Sequence, residues 1–238
     1  MTIYLFSRQC FYSLASSHKK RPNYFHPKLC YLNLINTLDE RVKLTFLLDT
    51  FFQKDQPHFV EQQKKYPVIP YKAGTEASSF LFLLDYVSSL KLKKDDIVYF
   101  LEDDYLHRPG WPKILEEGFS YLEVDYLTLY DHRDKYFYPQ YKPLKSSLWV
   151  SPSCHWRETP STTNTYAMRF ATLKKHLTIH QEFSKGVKIS KDHEKFIHLQ
   201  NQNAKLASSI PGWASHLENS YESPCIDWEK VLLQTAVF

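Results

Sequence analysis

The chain has 238 residues, enough for one large domain or two small ones, and its 43% hydrophobic and 24% charged residues are those of a globular protein. Only five glycines are present, with no GxGxxG and no GxxxxGK(S/T) run, which argues against a dinucleotide-binding or P-loop protein. A net charge of +4 suits an anionic substrate such as a nucleotide diphosphate but is too weak to indicate nucleic-acid binding.

Cys10, Cys30, Cys154 and Cys225 are widely spaced without a CxxC, so they suggest neither a zinc site nor a disulfide framework. The first eight residues lack the apolar core of a signal peptide, and no apolar run approaches the length of a membrane span. The expectation is a soluble, cytoplasmic protein without a transmembrane segment. Peripheral association with the inner face of a membrane is compatible with this reading.

In chain order, Ile3 to Phe6 reads as a first strand, and the basic stretch His18-Lys19-Lys20-Arg21-Pro22 as a solvated loop that could also meet phosphate. A helix follows, entered after Pro27. Val42 to Asp49 is a second strand that closes on an acid. Pro57 to Tyr66 reads as a short helix, and Pro67 to Pro70 as a brief strand. Thr75 can cap the next helix, with Glu76 in its first turn and Phe80, Leu83, Leu84 and Val87 on one face. The start of that helix, with Lys72, Thr75 and Ser78, is a ready phosphate or sugar site.

Ile97 to Leu101 is apolar and reads as a buried strand, and Glu102-Asp103-Asp104 follow at once. Three adjacent acids repel one another and call for a cation; hard divalent ions take carboxylate oxygens and leave positions open for phosphate. The plainer alternative is a solvated acidic turn. Beyond it, Pro112 to Leu122 reads as a helix and Asp125 to Tyr130 as a strand. Asp131-His132-Arg133-Asp134 reads as a polar loop rim rather than a second metal site, and 135–145 as a loop too polar for the core. Leu148 to Val150 and Thr163 to Met168 suggest strands of a smaller antiparallel part, with 151–157 between them as a Trp-, His- and Arg-rich connection. Phe170 to Phe183 is an amphipathic helix, a further helix starts near Ser190, and 210–218 reads as an irregular loop before a short helix from Pro224.

The strand followed by Glu102-Asp103-Asp104 resembles the DxD-type motif of GT-A fold glycosyltransferases, in the Glu-Asp-Asp form of the N-acetylglucosaminyltransferase I-like enzymes. The resemblance implies a single α/β domain over 1–238. It would have a mixed, mainly parallel, Rossmann-like sheet flanked by helices, a donor half of about 1–122 and an acceptor half of about 123–238 with a small antiparallel part. It implies an inverting transferase that uses Mn²⁺ or Mg²⁺, a nucleotide diphosphate sugar (UDP- or another NDP-sugar) and a glycan or glycolipid acceptor.

Carried over residue by residue, Asp104 and His216 would hold the metal. Glu102, Asp103, Asp49, Lys72 and Thr75 would contact the donor. Asp192 or Glu194 would be the base, and Trp156, Arg157 and Trp213 would face the acceptor. The family's adjacent acidic pair is here Asp192-His193-Glu194, which leaves the base open between the two acids. The rival readings are a sugar-phosphate nucleotidyltransferase and a non-catalytic sugar- or nucleotide-binding module on the same fold.

Overall fold

The structure, a computed structural model, describes residues 1–53 and 55–236. Its centre is a strand set whose side chains alternate between two cores. Strand β1 (Ile3–Cys10) lies between β2 (Val42–Asp49) and β4 (Ile97–Leu101) and is parallel to both. Leu5, Phe46 and Tyr99 point to one face, while Phe6, Leu47, Val98 and Phe100 point to the other. That is the period of two expected of strands covered on both sides, and it is why they read as continuous apolar runs.

One face is covered by α1 (Pro27–Thr37) and α3 (Trp111–Tyr121). The other is covered by α2 (Glu76–Ser89), α5 (Phe170–Glu182) and α6 (Asp192–Asn201), through Phe80, Leu83, Leu84, Leu173, Phe196 and Leu199. The remaining strands are β3 (Val68–Tyr71), β5 (Tyr105–His107), β6 (Tyr126–Thr128), β7 (Leu148–Ser151), β8 (Cys154–Glu158), β9 (Tyr166–Arg169), β10 (Leu206–Ile210) and β11 (Ala214–His216). Helix α4 (Asp134–Phe137) follows β6, and α7 (Trp228–Thr235) closes the described chain.

Among the described residues the main sheet has the order β3-β2-β1-β4-β9-β6-β10-β8-β7, and β5 and β11 form a separate antiparallel pair. Strand β9 runs antiparallel between β4 and β6, and β8 runs antiparallel to β10 and β7. The architecture is the expected GT-A, Rossmann-like mixed α/β fold with a small antiparallel part. Successive strands run from β1 through β2 to β3 on one side and then return to β4 on the other. The sheet order therefore reverses between β1 and β4, and a crevice opens outside their carboxyl ends.

Several elements differ from the expectation. β1 continues through Ser7-Arg8-Gln9-Cys10, because β2 pairs with it as far as Cys10 while Ser7, Gln9 and Arg8 find buried polar partners. The helix expected over 57–66 is a single 3-10 turn, Phe59–Glu61, capped by His58; only Val60 there is fully buried, so no longer apolar face exists to pack. The 151–157 connection is mostly strand, with Ser151 closing β7, Pro152 and Ser153 turning and Cys154 to Arg157 in β8, and the loop over 210–218 contains β11. Asp131, Asp134 and Lys135 are buried rather than a solvated rim: Arg157 pairs with Asp131 at 2.9 Å, and Lys135 with Asp134 at 2.9 Å. All four cysteines are free thiols. No helix among the described residues is long and apolar enough to cross a membrane.

Candidate active site

The crevice outside β1, β2 and β4 is a cavity of about 500 Å³, within the size range of small-molecule sites. Six carboxylates line it (Asp49, Glu76, Glu102, Asp103, Asp104 and Asp192) against three cations, Arg8, Lys19 and Lys188.

Asp104 sits at its floor, 4% exposed. The strand pair β5/β11 places His216 beside it. His216 is in register with Tyr105, and the Leu217 amide donates to the Asp104 carbonyl at 2.9 Å. Two residues 112 positions apart thus bring His216 Nε2 to 2.9 Å from Asp104 Oδ2. Arg21 Nη2 donates to the same oxygen at 2.7 Å, and Lys19 Nζ lies 3.7 Å away. Burial alone would push the Asp104 carboxyl up; His216, Lys19 and Arg21 overcome it and hold the group well below the usual carboxylate range.

Asp104 Oδ1 is buried and has no partner. An orphaned carboxylate oxygen with an imidazole alongside is a donor set that suits a hard-to-borderline divalent ion, provided the substrate or water completes the shell. Among the described residues no group of three His, Cys, Asp or Glu side chains is placed to hold a metal by itself. Asp104 and His216 would therefore be its only side-chain ligands among those residues, and the remaining positions would belong to phosphate and water.

The other two acids of the stretch face the same cavity. Glu102 Oε1 accepts from Arg8 Nη2 at 2.9 Å, and Asp103 Oδ2 accepts from the Cys10 thiol across 3.7 Å. Burial, then the neighbouring Asp104 and Glu102 charges, push Asp103 up to about 7. Asp49 lines the wall, but its oxygens already accept the backbone N–H groups of Phe51, Ala73 and Gly74, so it also holds the β2 and β3 exits together. Thr75 caps α2 and lines the cavity, whereas Lys72 is exposed and outside its lining.

Of the two acids considered for the base, Asp192 lines the cavity and Glu194 is exposed outside it. Burial pushes Asp192 up to about 7, with Lys195 opposing and Glu76 and Glu102 adding to the rise.

The aromatic residues expected on the acceptor side lie elsewhere. Trp156 is fully buried, donates to Ser151 Oγ at 3.1 Å and packs against Gly118, so its ring is closed to a sugar. Trp213 is partly buried, with the Arg108 guanidinium over its ring at 4.1 Å. Arg157 stacks on Tyr136 at 4.7 Å and pairs with Asp131. Asp131 and Tyr136 line a second cavity of about 640 Å³ with Arg133, Phe137, Pro211 and Cys225.

Arg8, Glu76, Asn164 and Lys195, for which the sequence suggests no site role, line or underlie the cavity, and the basic stretch expected as a solvated loop that could also meet phosphate brings Lys19 and Arg21 to Asp104. Arg8 follows the apolar run of β1 within two residues, and Lys195 is buried on α6 together with Phe196 and Leu199.

Neither a protein-family model nor a curated protein matches the chain by sequence. Among solved structures it is similar to S. aureus TarS 1–349, with a TM-score of 0.53 at 12% identity over 90% of this chain and 60% of that one. It is also similar to a CMP:2-keto-3-deoxy-manno-octonic acid synthetase complexed with CTP (TM-score 0.48, 11% identity, 99% of both chains). A third is the 4-diphosphocytidyl-2C-methyl-D-erythritol synthase of Anaerococcus prevotii (TM-score 0.45, 8% identity, 99% and 95%). The chain spans 60% of the length of the TarS chain it matches. At 12% identity the likeness to TarS is one of fold, and it agrees with the GT-A, Rossmann-like architecture.

Proposed function

We propose that this protein is an inverting, metal-dependent glycosyltransferase that moves a sugar from a nucleotide diphosphate to a hydroxyl of a glycan or glycolipid. The observation that carries the reading is the Asp104–His216 pair, 2.9 Å apart at the floor of an acid-lined cavity, with Asp104 Oδ1 buried and unpartnered. Six carboxylates against three cations would repel a bare diphosphate; a divalent ion on Asp104 and His216 would offset most of that excess and give the diphosphate a positive partner at the Asp104 end. When bound, the ion supplies charge neutralisation for the departing diphosphate.

The chain's own groups do the rest. Lys19, with Arg21 as a further cation, is already within reach of Asp104 and places positive charge where the diphosphate would sit. Glu102, held by Arg8, orients the donor. Asp192, with its carboxyl pushed up to about 7, takes the proton of the acceptor hydroxyl. The reacting hydroxyl has to enter the first cavity beside Asp192; the second cavity, where Tyr136 and Phe137 are about half exposed and Asp131 and Arg133 add polar groups, offers a surface for more distant sugars of the acceptor.

A second reading is favoured by the two cations that the β1–α1 loop brings to the acidic cluster: a sugar-phosphate nucleotidyltransferase, which must bind a triphosphate. The two are separated by product. Incubation with a panel of nucleotide sugars and Mn²⁺ releases nucleoside diphosphate from a glycosyltransferase, whereas nucleoside triphosphate with a sugar phosphate releases pyrophosphate from the alternative. Release of neither product under any donor overturns both.

A further inference from the structure

Two buried side chains that the proposed reaction does not use, Lys195 and Asn164, join Asp192 to the Arg8–Glu76–Glu102 group of the cavity wall. Lys195 is fully buried, with its Nζ packed over the rings of Phe80, Tyr166 and Phe196 at 4.6–5.2 Å. Its polar partners are Asn164 Oδ1 at 2.5 Å and Asp192 Oδ1 at 3.4 Å. Asn164, also fully buried, donates to Glu76 Oε1 at 2.9 Å. Arg8 Nη1 donates to that same oxygen at 3.0 Å, and Arg8 Nη2 reaches Glu102 at 2.9 Å. Glu76 Oε2 accepts the Ser190 amide at 2.7 Å, two residues before Asp192. The chain of contacts therefore joins β1, α2, the loop before β9, α6 and the acidic stretch.

Helix α6 has no side-chain cap: its Lys191 N-cap makes none, and Glu76 captures the Ser190 amide instead. A buried ammonium is expensive, and apolar residues of similar volume would often stabilise as well or better. Stability alone therefore does not explain an ammonium at position 195.

We propose that Lys195, with Asn164 and the Arg8–Glu76 pair, is a positioning device that fixes the Asp192 carboxylate over the cavity and keeps it ionisable, in register with Glu102. The proposal rests on the assignment of Asp192 as base only for its catalytic consequence; the electrostatic link stands on the contacts. Lys195 faces Asp192 from its own helix, Glu76 from α2, Arg8 from β1 and Glu102 from the stretch after β4. Lys188, Lys19, Asp49, Asp103 and Asp104 line the same cavity. Of these, Lys195 is within 3.4 Å, so its removal dominates.

The test is the titration of the Asp192 carboxyl by ¹³C NMR, its signal identified by its loss in Asp192→Asn. Measurements are made on the wild type, Lys195→Met and Asn164→Leu. Lys195→Met removes the cation and should move the midpoint up by about 1–3 units. Asn164→Leu frees Nζ to turn onto Asp192 and should move it down. A role in packing alone would not give opposite signs. If Lys195→Met does not fold, Asn164→Leu still decides by the direction of its shift.

Transfer kinetics are read in parallel. Lys195→Met should lower kcat at least about tenfold near neutral pH with donor KM little changed, and should move the acid limb of the profile upward with the titration. An unmoved Asp192 midpoint in the variants that fold overturns the inference. A moved midpoint in an enzyme whose Asp192→Asn variant retains full activity overturns the base assignment and leaves the link intact.

Discussion

Replacing Asp104 with Ala tests the core of the site in two independent ways. The carboxylate is buried and touches Arg21 at 2.7 Å, His216 at 2.9 Å and Lys19 at 3.7 Å. Hydrogen bonds to charged groups contribute about 1.5–3 kcal/mol each. Arg21 and Lys19 keep 17% and 24% of their side chains exposed, so water takes over part of what they lose. A total loss of about 2–4 kcal/mol follows, small enough against a stability of about 5–15 kcal/mol to leave the protein folded. For a domain of this size that is a fall in Tm of roughly 4–16 °C.

The folded-state pKa of Asp104 lies well below its unfolded value, so the stability it supplies is fully present above about pH 4 and is lost as pH falls through the folded value. The Tm gap between wild type and Asp104→Ala should therefore be constant near neutral pH and shrink in acid. Differential scanning fluorimetry from pH 3 to 8 measures this. Isothermal titration of a nucleoside diphosphate with and without Mn²⁺ measures the second effect, loss of the metal-dependent part of binding. A higher Tm in Asp104→Ala would show that desolvation outweighs the three partners. Unchanged metal-dependent binding would remove Asp104 from the metal.

Four further outcomes follow from the structure. Asp192→Asn should lower the transfer rate by at least about 10²-fold with donor binding retained, while Glu194→Gln, on an exposed residue outside the cavity, should lower it little; the reverse ranking in steady-state assays moves the base to Glu194. Because a base must be ionised and Asp192 is pushed up to about 7, kcat should rise with pH through about 7 and then level off, and a flat profile from pH 5 to 8 counts against it. His216→Ala should weaken Mn²⁺ binding in calorimetry, and wild-type affinity would make His216 a bystander. Gly118→Ala would set a Cβ 2.6 Å from Leu127 Cδ1 and 2.8 Å from the Trp156 ring, an overpacked contact that should cost about 1–3 kcal/mol; an unchanged denaturation midpoint would show that the Trp156 core yields freely.

Length, composition and local pattern were enough to read the parallel half of the sheet. Val42–Asp49 and Ile97–Leu101 match the strands expected from apolar runs closed by acids, and Pro27, Thr75 and Pro112 mark the helix starts. Those features are local, because a strand buried on both faces must be apolar throughout and a helix must begin where its first amides can be satisfied. The acidic stretch was legible for the same reason: three carboxylates at a strand end leave few physical explanations.

Pairing between distant segments was decided by tertiary structure alone. β10 is rich in Ala and Ser and β11 is three residues long, so neither carries a periodic signal, yet the β5/β11 register is what sets His216 on Asp104. Trp156 and Lys195 show the complementary limit. A Trp in a segment that also holds Ser, His and Arg reads as a binding residue and a Lys in a helix reads as solvated, but the first lies inside the Gly118 contact and the second is buried among rings and acids. Burial depends on what packs against a residue, and the partners that close over these two, Gly118 and Leu127 on Trp156 and Phe80, Asn164 and Tyr166 on Lys195, lie far away in the chain.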